Sequence, residues 1–122
     1  MSSAGIYGLV SGMAAATKIV EMARSHHLAV RMFDRSTSLI ENAKISRPCL
    51  VILDCDEREA QAFEVLKAFS KDADLSKVAI VGYVSQSKAA LKPEIERAGC
   101  LRGYLKTEFI RELPNIILRY AK

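Results

Sequence analysis

The sequence has few cysteines and none of the spacings that organise metal or disulfide sites. Its three cysteines, Cys49, Cys55 and Cys100, are an odd number in 122 residues and include no Cys-X-X-Cys pair. This pattern argues against both a disulfide framework and a zinc site. We therefore expect reduced, packed thiols of the kind found in cytoplasmic proteins.

Long hydrophobic runs are also absent. No segment approaches the roughly 20 apolar residues that a membrane-spanning helix requires, and residues 1–5 lack the basic run and apolar stretch of a secretory signal. No repeat, low-complexity tract or linker rich in Pro, Gly and Ser divides the chain. We therefore predict a single cytoplasmic domain over residues 1–122 that has no membrane contact, with 50% hydrophobic residues supplying its core.

Motifs of common enzyme classes are missing as well. The chain has no glycine-rich phosphate loop, serine nucleophile elbow, zinc motif or pair of catalytic carboxylates. His26 and His27 have no neighbouring Cys or Glu to complete a metal site, and adjacent histidines at a helix end are more typical of a polar terminus. We therefore expect no catalytic residues and no enzymatic activity.

Positive charge is concentrated in the last third of the chain. Residues 1–85 carry ten basic and ten acidic side chains, whereas residues 86–122 carry eight basic and four acidic ones, which accounts for the net charge of +4. Such a segment can attract an acidic partner, although a modest excess is more often only a solvated face. Nucleic acid is disfavoured as a partner, because the region has no basic run and few interleaved aromatics. The basic residues are Lys88, Lys92, Arg97, Arg102, Lys106, Arg111, Arg119 and Lys122.

Short apolar runs alternate with amphipathic segments along the chain. The predicted strands are residues 6–10, 28–33, 49–53, 78–84 and 102–105. The first two predicted helices cover about residues 14–25 and 38–43, and the third ends near residue 69. The fourth covers about residues 88–98 and is terminated by Gly99. Thr107 is predicted to cap a short turn, after which Pro114 opens the last helix.

This alternation predicts an α/β fold with a three-layer, doubly wound parallel sheet. Strands separated by single helices run parallel, and right-handed crossovers place helices on both faces. Ligands of such sheets bind at the loops after the carboxyl ends of the strands. Asp54, Ser85 and Lys106 follow the third, fourth and fifth strands, so we expect these three side chains to meet, with Asp54 paired to Lys106.

Over its whole length the chain resembles the receiver domains of bacterial response regulators. The resemblance rests on Leu50–Asp54 at the phospho-acceptor position, Gly103–Lys106 at the lysine position, Phe63–Lys67 in the third helix, and Ala98–Cys100 before the fifth strand. It implies a five-stranded, flavodoxin-like receiver fold and a role in two-component, phosphorelay signalling.

Both members of that family's acidic pair are missing here, and its Thr or Ser is retained only if the end of the fourth strand shifts by one residue. Ser11 and Gly12 occupy the position of its acidic pair, and Val84 occupies the Thr or Ser position, with Ser85 one residue later. Mg²⁺ usually needs carboxylate ligands, and phosphoryl transfer depends on stabilising charge. We therefore expect no metal and no cofactor in the degenerate pocket around the candidate acceptor Asp54, which comprises Ser11, Gly12, Asp56, Val84, Ser85 and Lys106.

Other departures affect the surrounding loops. Where receivers carry Met-Pro and then Gly after the acceptor, this chain has Glu57-Arg58 and then Ala62, so we expect the third helix to begin near Glu57. The family's switch aromatic falls at Gly103, and the adjacent Tyr104 is predicted to face the opposite side of the sheet.

We interpret the chain as a pseudo-receiver that acts by protein–protein interaction. Its partner is expected to be a signalling protein with an acidic surface, and homodimerisation is left open. One alternative is a working phospho-acceptor in which Asp56 or Asp34 supplies the missing charge and Mg²⁺ binds; another is a small flavodoxin-like ligand-binding domain. The predicted partner surface comprises Lys88, Lys92, Arg97, Arg102 and Tyr104.

Overall fold

The computed structural model describes residues 5–120, so residues 1–4 and 121–122, including Lys122, lie outside it. The strands are β1 (Ile6–Leu9), β2 (Val30–Met32), β3 (Leu50–Asp54), β4 (Ala79–Val84) and β5 (Arg102–Leu105). The helices are α1 (Met13–Ser25), α2 (Ser36–Ile45), α3 (Glu59–Lys71), α4 (Leu91–Arg97) and α5 (Lys106–Tyr120). Short 3₁₀ turns at Leu75–Lys77 and Gln86–Lys88 flank β4.

The five strands form one parallel sheet in the order β2-β1-β3-β4-β5. The predicted doubly wound fold class is therefore confirmed. The strand order reverses between β1 and β3, where Leu9 pairs with Leu53, and the loops after these strands flank the switch point at which ligands of such sheets bind.

Side chains of the sheet alternate between two buried layers. Ile52 and Tyr83 pack on the side of α1 and α5, whereas Leu53 and Val84 pack on the side of α2, α3 and α4. Every residue of β3 is buried, as is typical of a central parallel strand covered on both faces. Within residues 5–120, no helix combines the length and apolar character needed to cross a bilayer.

Helix α3 begins at Glu59, two residues later than the sequence predicted. The expectation of a start near Glu57 is wrong because the N–H groups of Asp56 and Glu57 both donate to the side chain of Asp54, which holds them in a turn. Of the acidic residues Asp56, Glu57 and Glu59, only Glu59 therefore lies in the first helical turn.

The last helix also differs from its prediction. Pro114 lies inside α5 instead of opening it, and the helix already begins at Lys106. A proline within a helix removes one backbone hydrogen bond, but α5 buries an apolar stripe that spans the proline on both sides. This stripe consists of Phe109, Leu113, Ile116 and Ile117, and its packing outweighs the local preference of proline for a first turn.

Helix α4 is shorter than predicted, since a 3₁₀ turn precedes it and the α-helix begins only at Leu91. Its end agrees with the prediction. Gly99 follows the helix with a φ of 125°, a conformation that glycine adopts without a steric penalty.

Candidate functional site

Asp54 lies at the carboxyl end of β3 and is 1% exposed. Its Oδ1 accepts hydrogen bonds from the N–H groups of Asp56 (2.9 Å) and Glu57 (3.0 Å), and its Oδ2 accepts one from the N–H of Ser11 (3.2 Å). Charged acceptors form the stronger hydrogen bonds, so three such donors compensate much of the cost of burying this carboxylate. Asp54 therefore ties the loop after β1 to the loop after β3.

Arg58 reaches across the loops beside this carboxylate. Its Nε donates to Ser11 Oγ at 2.8 Å, and its Nη1 donates to the backbone carbonyl of Asp34. A guanidinium nitrogen also lies 3.9 Å from the carboxylate of Asp34, whose side chain is 99% exposed. The structure thus places a fixed positive charge at Ser11, the position where the resemblance implies an acidic residue.

In the sequence, Arg58 stands out only as a departure from the loop pattern of the family. The replacement of a proline position by arginine was the available signal, but the direction taken by a long side chain depends on acceptors from distant loops. Those acceptors, Ser11 and Asp34, are provided by the strand order rather than by local sequence.

Neither Val84 nor Ser85 forms a hydrogen bond with Asp54. Val84 is fully buried in the core beneath α3 and α4 and offers no polar atom. The Ser85 hydroxyl donates to Asp56 Oδ1 at 2.8 Å and lies 3.0 Å from the Ser87 hydroxyl. Ser85 is therefore a loop-fixing residue in this structure, joined to Asp56 rather than to the candidate acceptor.

Lys106 opens α5 and is exposed. Among the described residues, no ion pair or hydrogen bond joins it to Asp54, so the expected Asp54–Lys106 pair is wrong. The physical reason is that backbone N–H groups already satisfy the buried carboxylate, while an ammonium group at the helix start keeps its hydration.

Tyr83 is a buried neighbour of Asp54 that sequence analysis missed. The two residues are paired across β3 and β4, and the Tyr83 ring stacks on Phe109 with centroids 4.8 Å apart. Burial raises the pKa of the Tyr83 hydroxyl, and the charge of Asp54 raises it further, so the phenol stays protonated. This hydroxyl has no hydrogen-bond partner among the described residues.

The oxygen atoms at this edge of the sheet are not arranged as ligands for a divalent cation. Both oxygens of Asp54 are bonded to backbone N–H groups, Ser11 presents a neutral hydroxyl that already accepts from a guanidinium, and Gly12 has no side chain. Within residues 5–120, no cluster of three or more His, Cys, Asp and Glu side chains is placed to hold a metal. Mg²⁺ normally keeps one or two accessible carboxylates among its oxygen ligands.

Two lysines of the predicted partner surface are engaged within the molecule. Lys88 Nζ donates to the carbonyl of Asp56 at 3.0 Å and lies 3.6 Å from the carboxylate of Glu59. Lys92 Nζ lies 3.4 Å from the carboxylate of Glu108. Both ammonium groups are partly neutralised, so they contribute less to an outward positive field than the sequence suggested.

The two arginines of that surface differ from the lysines. Arg97 and Arg102 are exposed, and neither forms an ion pair with another described residue. The Arg102 guanidinium lies over the ring of Tyr104, 4.9 Å from its centroid, while Tyr104 itself is only 4% exposed. Tyr104 packs on the α5 side of the sheet, whereas a Cβ at Gly103 would meet Ile95 of α4 on the opposite side. The predicted orientation of Tyr104 is confirmed, but its ring adds little to the surface.

The cysteines are unpaired thiols, as the sequence indicated. Burial raises the pKa of Cys55, and the negative charge of Asp54 adds to that effect; burial raises the pKa of Cys100 to about 12. The thiolate is the reactive form of cysteine, so both buried side chains serve as packing groups at neutral pH.

Comparison with known proteins gives a consistent answer about the fold. No protein-family model and no curated protein sequence matches the chain. The receiver domain of the sensor histidine kinase PA1611 from Pseudomonas aeruginosa, solved with a magnesium ion in its active-site cleft, is 18% identical with a TM-score of 0.78, and the match covers 98% of each chain. The chain has the receiver fold.

Two further structures support the same conclusion. A response regulator from Hahella chejuensis matches over 98% of each chain with 15% identity and a TM-score of 0.80. The chemotaxis response regulator CheY4 of Vibrio cholerae matches with 15% identity and a TM-score of 0.79, covering 97% of this chain and 98% of its own. The chain thus shares the receiver fold with these structures at 15–18% identity. At such low identity the shared fold does not determine the chemistry of the site, which depends on the residues present.

Proposed function

We propose that this chain is a pseudo-receiver, a single cytoplasmic module that transmits signals by binding another protein and not by Mg²⁺-dependent phosphorylation of Asp54. The observation that carries the proposal is the set of hydrogen bonds that the Asp54 carboxylate accepts. Its carboxylate accepts three backbone N–H groups from two loops, in a pocket whose Ser11 side chain faces a guanidinium. The receiver fold of the solved neighbours supports a signalling role.

The arrangement disfavours phosphoryl transfer for two reasons. An attacking carboxylate oxygen needs an exposed lone pair, whereas Asp54 is 1% exposed and engaged through both oxygens. Charge that develops on a transferring phosphoryl group also needs precisely positioned positive groups. Lys106 is exposed and forms no ion pair or hydrogen bond with Asp54 among the described residues, so it does not supply such a group here. The acceptor position is therefore better suited to holding loops than to chemistry.

The interaction surface is assigned to α4 and β5. Arg97 and Arg102 carry its outward positive charge, because Lys88 and Lys92 are paired with acids of the same molecule. An acidic surface on a partner would complement these arginines, and complementary charge chiefly raises the association rate and the specificity of a complex. We propose that Arg97 and Arg102 make the main charged contacts at the edge of this interface.

Intact-mass spectrometry tests the absence of phosphorylation. The wild-type chain is incubated with Mg²⁺ and a small phosphodonor, together with Asp54→Asn and with a response regulator known to accept phosphate. We expect no added HPO₃ on the wild-type chain while the positive control gains it. An adduct that appears on the wild type and disappears in Asp54→Asn would establish the phospho-acceptor alternative instead.

A further inference from the structure

We propose that the guanidinium of Arg58 acts as the built-in cation of the Asp54 pocket, holding its loops together so that no divalent metal is needed there. This inference rests on the proposed function and adds a positioning residue to it. Arg58 joins three segments of the chain at the switch point of the sheet: the loop after β1, the loop after β2, and the turn before α3, which contains Arg58 itself.

The contacts of Arg58 account for a cross-linking role. Its Nε donates to Ser11 Oγ, its Nη1 donates to the Asp34 carbonyl, and it faces the Asp34 carboxylate at 3.9 Å. A guanidinium presents five donors in a rigid plane, so it can bridge oxygens from separate loops in a way that an ammonium cannot. The side chain is only 22% exposed, which limits competition from water.

Ser11 connects this arginine to the central carboxylate. Its backbone N–H donates to Asp54 Oδ2, while its hydroxyl accepts from Arg58. The chain of groups runs from the Asp54 carboxylate through the Ser11 amide and hydroxyl to the Arg58 guanidinium. A Mg²⁺ ion in this space would meet the positive charge of Arg58 and would lose the one side-chain oxygen that Ser11 offers, since that oxygen is already bonded to the arginine.

Thermal unfolding in millimolar Mg²⁺ and in EDTA tests the proposal. For the wild type we expect the same Tm in both solutions. Arg58→Met should lower Tm by about 3–8 °C in both, because charged hydrogen bonds between three loops are lost. Arg35→Met is the matched control, since Arg35 is exposed in the neighbouring loop and bonds to no other described side chain; we expect a shift of about 1 °C or less.

A second set of variants separates geometry from charge. Arg58→Lys keeps the charge but not the planar donor set, so its Tm should fall between those of the wild type and Arg58→Met. In Ser11→Asp/Arg58→Met, a carboxylate is added and the cation is removed, so Mg²⁺ should raise Tm by a few degrees relative to EDTA. In Ser11→Asp alone, Arg58 neutralises the new carboxylate and Mg²⁺ should have no effect.

Several results would overturn the role of Arg58. They are a wild-type Tm that rises in Mg²⁺, an Arg58→Met variant as stable as the Arg35→Met control, or a Ser11→Asp/Arg58→Met variant whose Tm is the same in Mg²⁺ and in EDTA. These readouts concern folding and metal binding only. Failure of the proposed function would appear separately, as a phosphate adduct on Asp54.

Discussion

The surroundings of Asp54, more than its identity, decide what this residue does. A carboxylate at the end of a buried strand can be an acceptor, a ligand or a structural anchor, and the sequence alone favoured a pair with Lys106. The structure shows backbone N–H groups in that place. Main-chain donors carry no signature in a sequence, which is why the position of Asp54 was predictable and its bonding was not.

At His27, the residue after the C-cap His26 of α1, the backbone adopts a left-handed conformation with a φ of 58°. A residue with a Cβ pays about 1–2 kcal/mol for this conformation, whereas glycine does not, although glycine has more entropy to lose on folding. We therefore expect His27→Gly to increase the free energy of unfolding by about 0.5–1 kcal/mol, measured by urea denaturation.

His26→Gly is the control for this substitution. His26 has a φ of −108°, and its ring Nδ1 lies 3.0 Å from the carbonyl of Met22, so glycine there should destabilise the helix end. Equal effects of the two glycines would contradict the assigned conformation of His27.

Glu108 stabilises the start of α5 in a pH-dependent way. The backbone N–H of Leu105 and then the ammonium of Lys92 lower the pKa of this carboxyl below its usual value. A lowered pKa means that the stabilisation is complete above the unfolded-state pKa and is lost as the pH falls through the folded-state value. We expect Glu108→Gln to lower Tm at neutral pH and to differ less from the wild type at pH values below about 4.

The matched control for that titration is Glu112→Gln. Glu112 lies on the same helix, where it faces its sequence neighbour Arg111 at 3.8 Å and accepts a hydrogen bond from Asn115 Nδ2 at 3.3 Å, and it bonds to no backbone N–H among the described residues. Its removal should change Tm little at any pH, and a pH dependence equal to that of Glu108→Gln would remove the special role assigned to the Leu105 contact.

For individual strands and helices, the predicted bounds agree with the structure where residues close in sequence determine them. Strand β5 has the predicted bounds, and Gly99 ends α4 as expected, because glycine offers a positive φ that few residues share. The starts of α3 and α5 were wrong. Each was decided by tertiary contacts: Asp54 held the turn before α3, and packing of an apolar stripe carried α5 through Pro114.

Strand β4 and helix α4 approach closely at Gly82. A Cβ at this position would lie 2.9 Å from Cys55 Sγ and 3.2 Å from Ile95 Cδ1, both in the buried core. We expect Gly82→Ala to cost about 1–3 kcal/mol of unfolding free energy and to speed amide hydrogen exchange in α4, because the helix has to move outward.

Gly8→Ala provides a contrast within the same sheet. The added Cβ would meet the sulfur of Met32, the far end of a flexible side chain that is 36% exposed and can move aside. Its cost should be smaller than that of Gly82→Ala, and its effect should be confined to the edge near β2. If Gly8→Ala lowered the free energy of unfolding more than Gly82→Ala does, the packing around Gly82 would not be rigid.

For the whole molecule, the alternation of strands and helices was enough to predict the topology, and solved receivers at 13–18% identity share it. The distribution of charge was less predictable. Sequence counts placed a basic excess in the last third, but ion pairs within the fold leave Arg97 and Arg102 as its outward part on α4 and β5.

The electrostatic component of partner binding should therefore depend on salt. Raising the ionic strength from about 0.01 M to about 0.15 M shortens the Debye length from about 30 Å to about 8 Å. Once a partner is recovered by cross-linking, we expect its association rate to fall at least about tenfold over this range, measured by stopped-flow kinetics.

Substitution of the two arginines should reproduce the effect of salt. Arg97→Ala/Arg102→Ala should slow association at low salt and flatten the salt dependence. Lys18→Ala/Arg24→Ala removes two exposed basic residues of α1, on the opposite layer, and should leave the rate nearly unchanged. Salt-independent binding of the wild type would contradict an acidic partner surface.

The amide bonds to Asp54 have a consequence for genetics. Asparagine at that position would keep one oxygen acceptor but replace the other with an NH₂ group, which cannot accept from the amide of Ser11. A cell that carries Asp54→Asn would therefore express a protein with a loosened β1–α1 loop. A mutant phenotype in such a strain would report this conformational damage, and would not by itself demonstrate that a phosphorylation event had been lost.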